Sequence, residues 1–245
     1  KQVSSLHWLF TDEADTLLLR EAGFMRRTSC HFHWHNDGYT SFDDFLSRLN
    51  SRKRKKLRRE RRYVSEAGVS MRIVCGSDAS EEQWQIMHEF YCSTFNKKSG
   101  TPTLSLGFFH EVSQTMGDQV VLVFAYHAGL PVAGAIMLRG DNALYGRHWG
   151  CRKEFHSLHF EACYYQGIDY CIEHGLQLFE PGAQGEHKIS RGFLPTYTWS
   201  AHWIANEQFR EAIRHYLQQE HELMVDYHDD LMRTSPFKAM PVDDA

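Results

Sequence analysis

The stretch 142-NALYGRHWGCRKEFHSLHFEACYYQGIDYCIEHGLQLFE-180 decides the fold. Residues 142–151 read as a strand, with Tyr145, Arg147 and Trp149 on one face and Gly146, His148 and Gly150 on the other. Ser157 is placed to cap a helix from Leu158 to His174, and Gly175 to end it. Residues 176-LQLFE-180 form a second, short strand. A strand, a helix and a following strand make the crossover that sets two strands parallel. Upstream lie strands 119-QVVLVFAYH-127 and 131-PVAGAIMLRG-140, and His127-Ala128-Gly129 and Gly140-Asp141-Asn142 are hairpin turns. A meander that feeds a crossover predicts an α/β (α+β) mixed sheet with an antiparallel half. In such sheets ligands sit where strands diverge, near their carboxyl ends.

The other elements follow from the same signals. Strands are expected at 3–10, 24–36, 69–75 and 196–205, and helices at 12–23, 80–97, 105–116 and 207–228. Residues 41–67 read as one long helix, apolar at Phe42, Phe45, Leu46 and Leu49 and then strongly basic, ended by Gly68. In 31-HFHWH-35 the alternating histidines share a face, but zinc needs a third protein ligand, and no acid or cysteine stands at a compelling position. They are read as structural, with His33 and Asn36 lining a cleft, and no metal is expected.

The chain has 245 residues, 42% of them hydrophobic, enough for one large domain or two small ones. The longest apolar run, 120-VVLVFA-125, is a buried strand and far short of the roughly 20 residues a membrane helix needs, so membrane insertion is not expected. Six cysteines form no CxxC pair, which suits reduced thiols in a cytoplasmic protein. The net charge of −4 excludes a general affinity for polyanions, yet 52-RKRKKLRRERR-62 holds nine basic residues and one acid. That segment is a local patch fit for a tRNA stem, a nucleotide-linked substrate or cofactor phosphates. No aromatic side chain interleaves with it, so base stacking is not implied.

The densest chemistry lies in 180-EPGAQGEHKISRGFLP-195. Gly182 and Gly185 permit positive φ and close approach to a ligand. Gln184 can donate and accept. Glu186 or His187 can take a proton from an attacking amine, and Lys188 and Arg191 can hold phosphate or carboxylate. Glu161 and His159 fall in the first turn of the crossover helix, where a buried Glu161 would be a base and the helix dipole favours neutral His159. Arg147 on its strand would clamp an anion beside Tyr145 and Trp149. The chain contains no GxSxG and no local Cys-His nucleophile signature, and Cys163 reads as core.

Three phrases resemble the FemAB-like family of predicted N-acyltransferases, which has the GCN5-related N-acetyltransferase fold. They are 32-FHWHNDGY-39, then 145-YGRHWGC-151 with 158-LHFEACYYQGI-168, and 182-GAQGEHKISRGFLP-195 with 200-SAHWI-204. The basic helix followed by 66-EAGV-69 is also similar to the peptidoglycan FemABX transferases. The resemblance covers about residues 4–222. It implies splayed central strands flanked by helices, and two such halves in a full member. On that basis residues 1–36 are connecting elements from a first half, 37–228 one acetyltransferase-like domain and 229–245 a polar tail. It further implies transfer of an acyl or aminoacyl group to a small-molecule or peptide amine, by direct attack, from acetyl-CoA, another acyl-CoA or aminoacyl-tRNA. Backbone N–H groups of strand 145–151 would hold the oxyanion. The Gly-rich pyrophosphate loop of acetyl-CoA enzymes is replaced by 151-CRKEFHSLHF-160, which leaves only Arg152 and Lys153 as phosphate ligands. The competing expectation is a module without turnover that binds RNA or a phosphorylated partner through residues 52–62.

Overall fold

The computed structural model describes residues 3–97, 99–182 and 185–238. The chain folds as two compact units, one built from residues 1–32 and 184–235, the other from 33–183 and 236–245. This division falls within strand β2 (Met25–His35), close to the boundary expected at residue 36, but it returns residues from 184 onward to the first unit.

The larger unit holds the predicted meander and crossover. Strands β3 (Val69–Cys75), β4 (Val120–His127), β5 (Leu130–Arg139) and β6 (Ala143–Cys151) pair antiparallel in that order. Strand β7 (Leu178–Glu180) then pairs parallel with β6 and antiparallel with the end of β2. The class is therefore mixed α/β, as the strand–helix–strand reading requires. Every residue of β4 from Val120 to Ala125 is buried because both faces of the sheet are covered. On one face, α4 (Glu81–Lys97) and α5 (Leu106–Met116) pack Trp84, Met87, Phe90 and Phe109 onto Leu122, Phe124 and Ile136. On the other, Val64 and Leu158 meet Ala125, Ala133 and Cys151.

The expected helix 41–67 is two helices, α2 (Phe42–Arg48) and α3 (Ser51–Glu66). Leu49 takes an extended conformation, and the Asn50 side chain accepts from Lys53 N at 3.0 Å, which starts a new helix. The crossover helix departs from expectation too. It runs as α6 (Leu158–Phe160), one π turn (Glu161–Tyr165) and α7 (Gln166–Glu173). Ser157 gives it no side-chain cap and instead adopts a left-handed φ of 67°.

In the smaller unit β1 (Ser5–Thr11) pairs antiparallel with β8 (Leu194–Ile204), and α1 (Glu13–Glu21) and α8 (Glu207–Met232) complete it. Arg27 of β2 grips Glu220 of α8 through two hydrogen bonds, of 2.9 and 2.7 Å. α8 runs four residues past the expected end at 228, with Leu231 buried, so the segment read as a polar tail begins as helix. Among the described residues no helix is long and apolar enough to cross a membrane.

Candidate functional site

The larger unit opens where β6 leaves β7. The two strands pair only from Ala143–Leu178 to Tyr145–Glu180. Pro181 follows at once and has no N–H with which to extend the ladder. Gly146 lets the chain pass closely, since a Cβ there would stand 3.1 Å from Pro181 Cα. Against β5 the register skips Arg147: Ile136 opposes His148, whereas Met137 opposes Gly146. Arg147 is the extra residue of a β-bulge.

That bulge corrects the expected alternation. Tyr145 opposes Leu138, which packs on the α4–α5 core, whereas Trp149 opposes Ala135 and packs with Ala133 and Cys151 on the other face. Tyr145 and Trp149 thus lie on opposite faces, because one inserted residue reverses every side chain beyond it.

The divergence holds a cavity of about 150 Å³ lined by Met137, Arg147, His148, Trp149, His159 and Cys163, among others. His148 meets the Tyr91 ring edge-on at 4.7 Å. Burial, reinforced by Arg147, holds its imidazole below the ordinary value, so it is neutral at neutral pH. Trp149 and exposed His159 meet edge to face at 5.4 Å, and Thr94 Oγ1 donates to Trp149 O at 2.5 Å, tying α4 to the strand. A second cavity of about 340 Å³ shares Trp149 and His159 and adds Lys97, Cys151, Lys153 and Glu154. There Lys97 Nζ bonds Glu154 at 2.8 Å and lies 3.5 Å from Cys151 Sγ. Of the predicted residues, Arg147, Trp149 and His159 are thus brought together, and Lys153 joins them next door. The sequence does not point to His148 or Cys163 as site residues, to His148 because the bulge is invisible in the alternation and to Cys163 because a half-apolar helix position reads as core.

In the loop after β6 the phosphate ligands expected there already have partners. The backbone N–H groups of Arg152 and Lys153 both point at Val132 O, at 2.8 and 3.5 Å. The Arg152 guanidinium pairs with Glu89, and Lys153 Nζ lies 4.8 Å from the Phe155 ring centre.

Glu161 is buried, as a base would need, but not in the cavity wall. Its Oε1 accepts from Arg61 Nη2 at 3.0 Å and Gln166 Nε2 at 2.7 Å, and its Oε2 has no hydrogen-bond partner among the described residues. Asn36 does not line a cleft: its Nδ2 donates to Leu176 O at 3.1 Å and its Oδ1 accepts from Tyr39 N at 2.9 Å, so the side chain is spent on a turn. His33 is buried, and an acid the sequence did not point to lies near it, with Glu180 Oε2 3.8 Å from His33 Nε2.

In the smaller unit the reactive-looking segment forms a 3₁₀ turn, Glu186–Arg191. Gly185 sits at φ 114°, where a Cβ would also strike the His187 ring at 2.4 Å, so glycine is required. Lys188 and Arg191 are buried, and Arg191 Nη1 donates to His187 O at 2.8 Å. The Tyr227 hydroxyl donates to Glu186 Oε1 at 2.9 Å, and burial, then Glu186, push its pKa up to about 12. Gln184 lies outside the described residues.

A family model described as FemAB-like, peptidoglycan biosynthesis/recognition, matches residues 1–239. No curated protein matches the chain. Among solved structures, L-PGS from Bacillus licheniformis overlays with a TM-score of 0.59 at 11% identity, covering 85% of this chain and 70% of that one. FemX overlays with 0.60 at 10%, over 86% and 75%. The C-terminal domain of a provisionally named lysylphosphatidylglycerol synthetase from Agrobacterium fabrum overlays with 0.60 at 9%, over 88% and 72%. At such identities the likeness is one of fold.

Proposed function

The chain belongs to the FemAB-like family, and from that premise we propose that it is a transferase that moves an aminoacyl group from tRNA to an amine of a peptidoglycan precursor. The observation that carries this reading is the cavity at the β6–β7 divergence, which sets a neutral imidazole beside a strand whose ladder with β7 reaches only Tyr145 among the described residues. The amine attacks the ester carbonyl, forming the C–N bond and breaking the C–O bond to the ribose. His148 takes the amine proton and returns it to the leaving ribose oxygen. Backbone N–H groups of β6 stabilise the oxyanion, and Trp149 and His159 wall the site. Positioning supplies the rest of the rate. An aminoacyl-tRNA donor also accounts for a loop that lacks a pyrophosphate cradle.

The test is transfer of radiolabelled amino acid from a charged tRNA pool to a muropeptide amine, beside an arm supplied with labelled acetyl-CoA. The expected result is transfer from tRNA alone, lost in His148→Asn. Folded protein that transfers from neither donor, or a His148→Asn variant at full rate, would overturn the assignment. Glu186→Gln and His187→Ala, run alongside, test the 3₁₀ segment as the base: full activity in both leaves the proton to His148.

A second reading rests on α3, where Arg52, Lys53, Lys55, Lys56 and Arg59 line one groove. A polyanion-binding module without turnover would need only that groove. It becomes the better reading if tRNA binds tightly and no amine is modified.

A further inference from the structure

We propose that Arg61 is a positioning residue that holds the π turn of the crossover helix, and through it the wall of the cavity. The inference rests on the transferase reading for its kinetic consequence, but not for its geometry. The π turn is defined by the Gln166 N–H, which donates to Glu161 O five residues back. The Gln166 side chain repeats that spacing, with Nε2 donating to Glu161 Oε1 at 2.7 Å. In a regular α-helix five residues turn the chain about 140° past the starting face, so these two side chains would not meet. Their bond exists only in the wide register. π turns are rare, and each needs something to hold it.

Arg61 does this from α3. Its Nη2 donates to Glu161 Oε1 at 3.0 Å and to Asp169 Oδ2 at 2.7 Å, which places one guanidinium across the π turn and into α7. Its other face lies 4.4 Å from the centre of the Phe42 ring. Burial opposes the guanidinium charge, but Glu161 and then Asp169 outweigh it and raise its affinity for the proton, while burial pushes the Asp169 carboxyl up against the pull of Arg61. Glu161 is only 4% exposed, and its Oε2 has no hydrogen-bond partner among the described residues. A buried carboxylate with an unsatisfied oxygen is costly, and a helix made for stability alone would hold an apolar residue there. The π turn meanwhile carries Cys163 and Tyr164, which line the cavity, and α6 just before it carries His159. Closing the turn to α register would rotate one end of the helix against the other by about 100° and carry those side chains off the wall.

The measurement is the alkylation rate of Cys163, followed by peptide mass spectrometry, together with kcat and KM for transfer. Wild type is compared with Arg61→Met, Arg61→Lys and Gln166→Leu. In Arg61→Met the Cys163 rate should change severalfold and kcat should fall about a hundredfold with KM little altered. Arg61→Lys, which can still donate to both acids, should recover much of each. Gln166→Leu, which removes only the bond tied to π register, should move both readouts the same way and serves if Arg61→Met does not fold. A folded Arg61→Met or Gln166→Leu protein with unchanged Cys163 reactivity would overturn the proposal, whatever happens to kcat. If the protein transfers nothing, the Cys163 rate still decides it.

Discussion

At the scale of single residues, the functional assignment turns on His148. A base must be neutral to accept a proton, and burial followed by Arg147 holds this imidazole below the ordinary histidine value of about 6.5. The rate of transfer should therefore stay level as pH falls from 8 to about 6.5 and drop only below that. His148→Asn should lower kcat about a hundredfold or more and flatten that acid limb in a pH–rate profile. Stability has a related sign. Below about 6.5 the unfolded chain takes up a proton at this position that the folded chain resists, so acidification through that window costs stability, and replacing His148 should reduce the cost in denaturant melts. Asn36 illustrates the opposite kind of residue. Its amide donates to Leu176 O and accepts from Tyr39 N, so Asn36→Ala should destabilise by about 1–3 kcal/mol while kcat stays unchanged. Sequence could mark both as polar residues in aromatic strands or turns. It could not tell which one faces a cavity, because that depends on backbone partners hundreds of atoms away in the chain.

At the scale of elements, what could be read was whatever follows a regular period. The three meander strands, their two turns, the α4 and α5 helices and the crossover keep periods of 2 or 3.6 over most of their length, and all are present. Among the breaks in period that escaped, three matter most for the larger unit: the skip at Arg147, the π turn at Glu161–Tyr165 and the restart at Asn50. None carries an inserted glycine or proline, and each is held by tertiary partners. Two of the three lie beside the cavity, where departures from regular geometry aim side chains. The element packing also yields a sharp test. α4 lies so close to β6 that a Cβ on Gly150 would stand 1.7 Å from Phe90 O and 2.3 Å from its carbonyl carbon. Backbone cannot swing aside as a side chain can. Gly150→Ala should therefore cost more than the about 1–3 kcal/mol of ordinary overpacking and should lower Tm by many degrees. Gly107→Ala, where the nearest atom is Ser105 Oγ at 3.7 Å, should be tolerated and makes the control. Equal melting of the two variants would mean that α4 does not sit on β6 as described.

At the scale of the whole molecule, the question is why a chain of net charge −4 concentrates nine of its 27 basic residues between 52 and 62. The rest carries 18 basic and 30 acidic residues, so the chain as a whole repels a polyanion that this one helix attracts. The placement is also unfavourable for α3 itself. Its first turn has no acid, and cations at the positive end of a helix lose about 0.3–1 kcal/mol each relative to acids there. Local stability therefore does not explain Arg52, Lys53 and Lys55, and the proposed tRNA donor would, through a row of phosphates. Release of counterions then dictates the measurement: fluorescence anisotropy of labelled tRNA across a potassium chloride series. Each phosphate contact contributes about 0.7–0.9 to the slope of log affinity against log salt. Changing Arg52, Lys53, Lys55, Lys56 and Arg59 together to glutamine should lower that slope by about 3 or more and weaken binding most at low salt. Arg52, Lys53 and Lys55 lie in or next to the first turn and are not fully buried, so changing those three alone should not lower Tm, whereas Lys56 pairs with buried Glu60 at 3.9 Å and its change should cost some stability. A slope that survives the five changes would place the phosphate contacts elsewhere and strip α3 of its proposed role. A slope that collapses while amine transfer from charged tRNA also fails would show that the groove delivers the donor to the cavity.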